Sequence, residues 1–88
     1  MGTRNIHSWK STTPEGEKRE MRAEKFAARW RIQVQIKGED TWSYYDRPPI
    51  ADLMELREVL WRKYQRKKLP WEDLVTIDRL ISEAQGRE

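Results

Sequence analysis

An α+β fold is what this sequence predicts: a small antiparallel β-hairpin or three-stranded meander packed against a C-terminal antiparallel helical hairpin. Three observations point there. Residues 29–37 alternate apolar and polar side chains, residues 50–67 and 70–86 repeat apolar side chains at helical spacing, and prolines at 48, 49 and 70 punctuate the stretches between. The chain has 88 residues, enough for one small domain. Only 36% are apolar and 38% are charged, a composition that leans toward disorder. Five tryptophans, at 9, 30, 42, 61 and 71, oppose that tendency because each can bury on the order of 200 Å².

Residues 1–14, MGTRNIHSWKSTTP, show no period and are rich in Ser and Thr, so they read as a flexible leader to a domain over 15–85. Ile6 and Trp9 are its large apolar side chains. Residues 15–28 admit three readings. Thr13 as N-cap, Pro14 as first helical residue, and Ala23, Phe26, Ala27 and Trp30 at helical spacing favour a helix. The alternation from Phe26 through Ala28 and Trp30 lets the following strand begin early instead. The third reading makes 20–26 a strand that turns back at Ala27-Ala28.

Trp30, Ile32, Val34 and Ile36 alternate with Arg29, Arg31, Gln33, Gln35 and Lys37, the pattern of a half-buried strand. Gly38-Glu39-Asp40 interrupts it, and residues 41–46 resume as a second strand. Pro49 opens a helix in which Leu53, Leu56, Leu60 and Tyr64 form the buried stripe, widened by Met54 and Trp61. Leu69-Pro70 ends it, and Leu74, Ile77, Ile81 and Ala84 line a second helix stopped by Gly86. So short a connection makes the two helices antiparallel neighbours.

Chemistry is poorly represented. There is no cysteine, which excludes disulfides and thiolate zinc sites. His7 lies in the leader as an exposed tail residue, the serines and threonines there lack a positioned base, and no phosphate-cradling glycine motif occurs. Glu39-Asp40 and Glu72-Asp73 fit turn and first-turn positions. The expectation is a non-catalytic domain without cofactor, metal or small-molecule substrate. No apolar run is long enough for a signal segment or a membrane span, and the expected location is cytoplasmic.

The net charge of +3 is unevenly spread. Residues 57–68 hold Arg57, Arg62, Lys63, Arg66, Lys67 and Lys68 against Glu58, whereas residues 70–88 are acidic. On a helix, Arg62, Lys63 and Arg66 point away from the leucine stripe, which suits either a solvated face or phosphate contact. A second basic surface depends on hairpin register. A two-residue turn at Gly38-Glu39 pairs Gln33 with Tyr44 and sets Trp42 and Tyr44 among the arginines. A three-residue loop sends both rings to the core, the placement favoured by the burial of two large aromatics.

The favoured function is therefore a protein–protein interaction module whose partner is another protein or a second copy of the chain. Its grounds are the short sheet with open edges and more tryptophan than so small a core hides. The alternative is nucleic-acid binding through Arg29, Arg31, Lys37, Arg62, Lys63 and Arg66, joined by Trp42 and Tyr44 if they reach the wet face.

Overall fold

In the computed structural model, residues 6–26 and 29–86 are described. The fold is α+β: a four-stranded antiparallel sheet followed by a helical hairpin. The chain divides into two compact units at Asp46–Arg47.

The sheet is a meander in the order β1 (Ile6–Thr12), β2 (Lys18–Phe26), β3 (Arg29–Ile36), β4 (Ser43–Tyr44). It has one more strand than the sequence suggests at most, because residues 6–12, read as leader, form β1. The alternation was there, but His7 and Ser11 occupy two of its inward positions, so apolar counting misses it. Both are buried, and His7 sits 5.7 Å from the Trp30 ring rather than in an exposed tail. Residues 1–5 of the expected leader lie outside the described residues.

Residues 18–26 form a strand, not the favoured helix. The signals at Thr13 and Pro14 belong to a hairpin turn. The Gly16 N–H donates to the Thr13 carbonyl (2.9 Å) and the Glu17 N–H to Thr13 Oγ1 (3.0 Å). Proline second and glycine fourth in such a turn match type I preferences, and Gly16 takes φ 91°, open to glycine at little cost. Beyond the turn, β2 pairs with β1 on one side and β3 on the other, and this pairing overrides the helical propensity of its Glu, Arg, Lys and Ala. The third sequence reading holds for the strand itself; its turn at Ala27-Ala28 falls outside the described residues.

One face of the sheet buries Met21, Ala23 and Ile32. At its end Arg19 donates to Ser11 Oγ (2.7 Å) and to the Tyr45 hydroxyl (3.3 Å), tying β2 to β1 and to the residue after β4.

In the helical unit, α1 (Ile50–Gln65) begins at Pro49, whose carbonyl accepts from the Asp52 and Leu53 amides. Its Leu53, Leu56 and Leu60 are buried, as are Leu74, Ile77, Ile81 and Ala84 of α2 (Trp71–Gly86). Met54 and Trp61, expected to widen the stripe, are exposed instead. Arg57 Nε donates to Asp78 Oδ1 (2.5 Å), bridging α1 and α2. That hydrogen bond holds the guanidinium above its ordinary pKa against the opposing effect of burial.

α1 ends before Leu69-Pro70. The Lys67 N–H donates to the Tyr64 carbonyl (2.8 Å) and the Lys68 N–H to the Lys63 carbonyl (2.9 Å), the two bonds of a Schellman motif. Its left-handed position is Lys67, at φ 60°, where glycine is usual.

Candidate nucleic-acid interface

The register of β3 and β4 decides what the sheet's second face presents. Tyr44 pairs with Gln33 and Ser43 with Val34, which is the register of the two-residue turn. The sequence preference for core placement of Trp42 and Tyr44 is thus corrected. The Glu39 N–H donates to the Ile36 carbonyl (2.9 Å), and Gly38 takes φ 96° within that turn. The turn itself spans Ile36–Glu39, one residue before the expected Gly38-Glu39, and a positive φ at its third position suits glycine. Residues 39–42 then carry the chain to β4, so the register agrees with the two-residue expectation although the turn does not.

Strand alternation then fixes the neighbours. The face with Tyr44 carries Ser8 and Lys10 from β1, Glu20, Arg22, Glu24 and Phe26 from β2, and Arg29, Arg31, Gln33 and Gln35 from β3. Across the middle run Ser8, Arg22, Gln33 and Tyr44 in one row. The Arg22 guanidinium lies 4.6 Å from the centroid of the Trp42 ring, and that of Arg31 lies 5.3 Å from the Tyr44 ring. Tyr44 is 59% exposed and Phe26 67%. Such stacking holds the rings and guanidinium groups as broad planar surfaces. Glu24 beside Arg31 and Glu20 beside Lys10 are opposite-charge cross-strand pairs that temper the positive field without cancelling it.

Of the residues singled out in the sequence, Arg31, Trp42 and Tyr44 come together at this site. Arg29 shares the face at its far end, opposite Phe26. Lys37 lies past the other end of β3, lining a cavity of about 600 Å³ together with Lys10, Lys18, Glu20 and Glu39. Arg62, Lys63 and Arg66 belong to the helical unit. Arg62 and Arg66 are exposed, but Lys63 is half-buried, and its ammonium is held below the usual lysine range first by burial and then by Lys68. The expectation that Lys63 points outward with the other two is met only in part.

Sequence reasoning missed Arg22 and Phe26, because both lie in the segment favoured as helix. The signal was the alternation Glu20, Arg22, Glu24, Phe26, visible once residues 18–26 are written as a strand. Among the described residues no group of three or more His, Asp or Glu could hold a metal ion, and no helix is long and apolar enough to cross a membrane. No family model, curated protein or solved structure matches the chain.

Proposed function

We propose that the outer face of the sheet binds single-stranded nucleic acid. The observation that carries this reading is the Gln33–Tyr44 register, which sets the exposed Tyr44 ring and the half-buried Trp42 ring beside arginines. Unpaired bases stack on aromatic rings and on guanidinium planes alike, while cations hold the phosphates. Lys10, Lys18, Arg22, Arg29 and Arg31 supply that charge against Glu20 and Glu24, and the Gln33 and Gln35 side chains offer amides to base edges. A protein partner, favoured on sequence alone, fits this face less well. The centres of protein interfaces are depleted in lysine and in acidic residues, and this face carries Lys10, Glu20 and Glu24 among its rings and arginines.

The test is titration of the protein with a fluorescent single-stranded oligonucleotide at several salt concentrations. Binding is expected at about 50 mM salt, with log affinity falling linearly against log salt by about 0.7 per neutralised phosphate. Replacing Arg22 and Arg31 with Gln flattens that slope. No salt-sensitive binding at that ionic strength would overturn the reading.

A further inference from the structure

The helical unit keeps aromatic side chains at its surface in a different arrangement. Tyr64, near the end of α1, lies 5.9 Å from the Trp61 ring and 5.2 Å from the Trp71 ring at the start of α2. Trp71 is 51% exposed and Trp61 36%. Beside this cluster is a cavity of about 390 Å³ lined by Tyr64, Gln65, Lys67, Leu69, Pro70 and Trp71. That volume lies at the small end of ligand pockets, about 300–1,000 Å³, and leaves room for one anchoring side chain.

Lys67 is the one charged residue lining the cavity, and the chain around it is cationic. No acidic residue occurs between Glu58 and Glu72, a span that includes Arg62, Lys63, Arg66, Lys67 and Lys68. Arg62 shares its charge with Glu58 at 3.6 Å on the exposed helix surface. Lys63 is half-buried near Lys68, and the two ammonium groups oppose one another's charge. Lys67 adds a further indication. It holds the left-handed position of the Schellman motif, where a non-glycine residue costs about 1–2 kcal/mol. Strain of this kind collects at functional sites, and here it sets a lysine at the mouth of the cavity.

We propose that this turn docks an acidic peptide segment carrying one large apolar side chain, the apolar group entering between Trp71, Leu69 and Pro70 and the carboxylates meeting Lys67 and Lys68. Charge complementarity selects an acidic occupant. The ring geometry selects a peptide over a nucleic acid. Tyr64 and Trp71 are inclined at 58° and pack against each other, making a concave apolar notch rather than separate planes for stacked bases. Tryptophan, tyrosine and arginine are also the residues in which protein interfaces concentrate their binding energy.

The full chain is titrated with a short synthetic peptide of Asp and Glu around a central Phe, followed by tryptophan fluorescence and calorimetry. The expected result is saturable binding at low salt, weakened about tenfold or more by Trp71→Ala and by the double variant Lys67→Glu/Lys68→Glu, and unchanged by Trp42→Ala. Both lysines are exposed, and because two glutamates at the end of α1 oppose the helix dipole, a thermal melt of the double variant establishes that it folds before its binding is read. Three results overturn the proposal: no binding, equal binding when Ser replaces the peptide's Phe, or equal binding by the double variant. An oligonucleotide whose affinity falls with Trp71→Ala while the acidic peptide fails to bind would assign the turn to nucleic acid instead. Because the proposal does not rest on the sheet face, loss of oligonucleotide binding through Trp42→Ala leaves it intact.

Discussion

Both units expose aromatic rings beside cations, yet they arrange them in opposite ways. The sheet spreads Trp42, Tyr44 and Phe26 over a surface on which guanidinium groups lie over the rings of Trp42 and Tyr44. The helical hairpin gathers Trp61, Tyr64 and Trp71 into one cluster, with the Arg57 guanidinium 5.9 Å from the Trp61 ring, beside a notch whose one charged lining residue is Lys67. The difference follows from the backbone. A strand sends alternate side chains outward at steps of about 6.6 Å, far enough apart to remain separate planes, whereas two helices meeting at a turn bring their rings into mutual contact. Similar residue types therefore give a platform in one place and a pocket in the other.

The largest expected effect separates both surfaces from the cores beneath them. Leu60→Ala in α1 and Ile32→Ala in β3 each remove a buried side chain and should cost about 2–5 kcal/mol in urea melts. Tyr44→Ala, at an exposed position, should change stability by less than about 1 kcal/mol. If Tyr44→Ala destabilised as much as Ile32→Ala, the ring would be a core residue and the platform would not exist.

Next in size is the stacking contribution. Trp42→Ala should lose about 1–3 kcal/mol of oligonucleotide affinity, read by anisotropy, while Trp61→Ala leaves that affinity unchanged. Equal losses from the two variants would erase the distinction between platform and pocket.

Backbone strain gives smaller effects of opposite sign. Lys67→Gly should raise stability by about 1 kcal/mol, since the left-handed position then carries no side chain. Gly16→Ala and Gly38→Ala should each lower it by about 1 kcal/mol; a Cβ there meets nothing within 4 Å, so conformation alone sets the cost. A destabilised Lys67→Gly variant would mean that the lysine makes a contact outweighing its strain. Smallest is the exposed Glu58–Arg62 pair, where Arg62→Gln should shift stability by no more than about 0.5 kcal/mol.

How legible each region was depended on which physical signal it carried. The helices were readable because Leu53, Leu56, Leu60, Leu74, Ile77, Ile81 and Ala84 repeat at helical spacing and are all buried. β3 was readable for the corresponding reason at a spacing of two. β1 and β2 were not, because their inward positions include His7, Ser11, Arg19 and Ala23, which carry little hydrophobic signal, and because residues 18–26 are strong helix formers. Thr13-Pro14 misled because a helix start and a type I turn use the same two residue types; Gly16, two positions on, distinguishes them. Three of five residues of the candidate site could be named in advance. Arg31, Trp42 and Tyr44 follow from β3 and its hairpin, whereas Arg22 and Phe26 required β2.

The shortness of β4 has a consequence for how firmly that platform is held. Only Ser43 and Tyr44 pair with β3, supplemented by the bond from the Tyr45 amide to the Ile32 carbonyl (3.0 Å). So brief a ladder gives up little when it opens, and an edge segment of this kind exchanges its amide hydrogens well before the central strands do. The ring-bearing arrangement is then one member of an equilibrium, and observed affinity equals intrinsic affinity scaled by the fraction of molecules in it. Bound oligonucleotide should draw the population toward the paired state, slowing hydrogen exchange at the Tyr45 amide while leaving amides in the middle of β2 as they were.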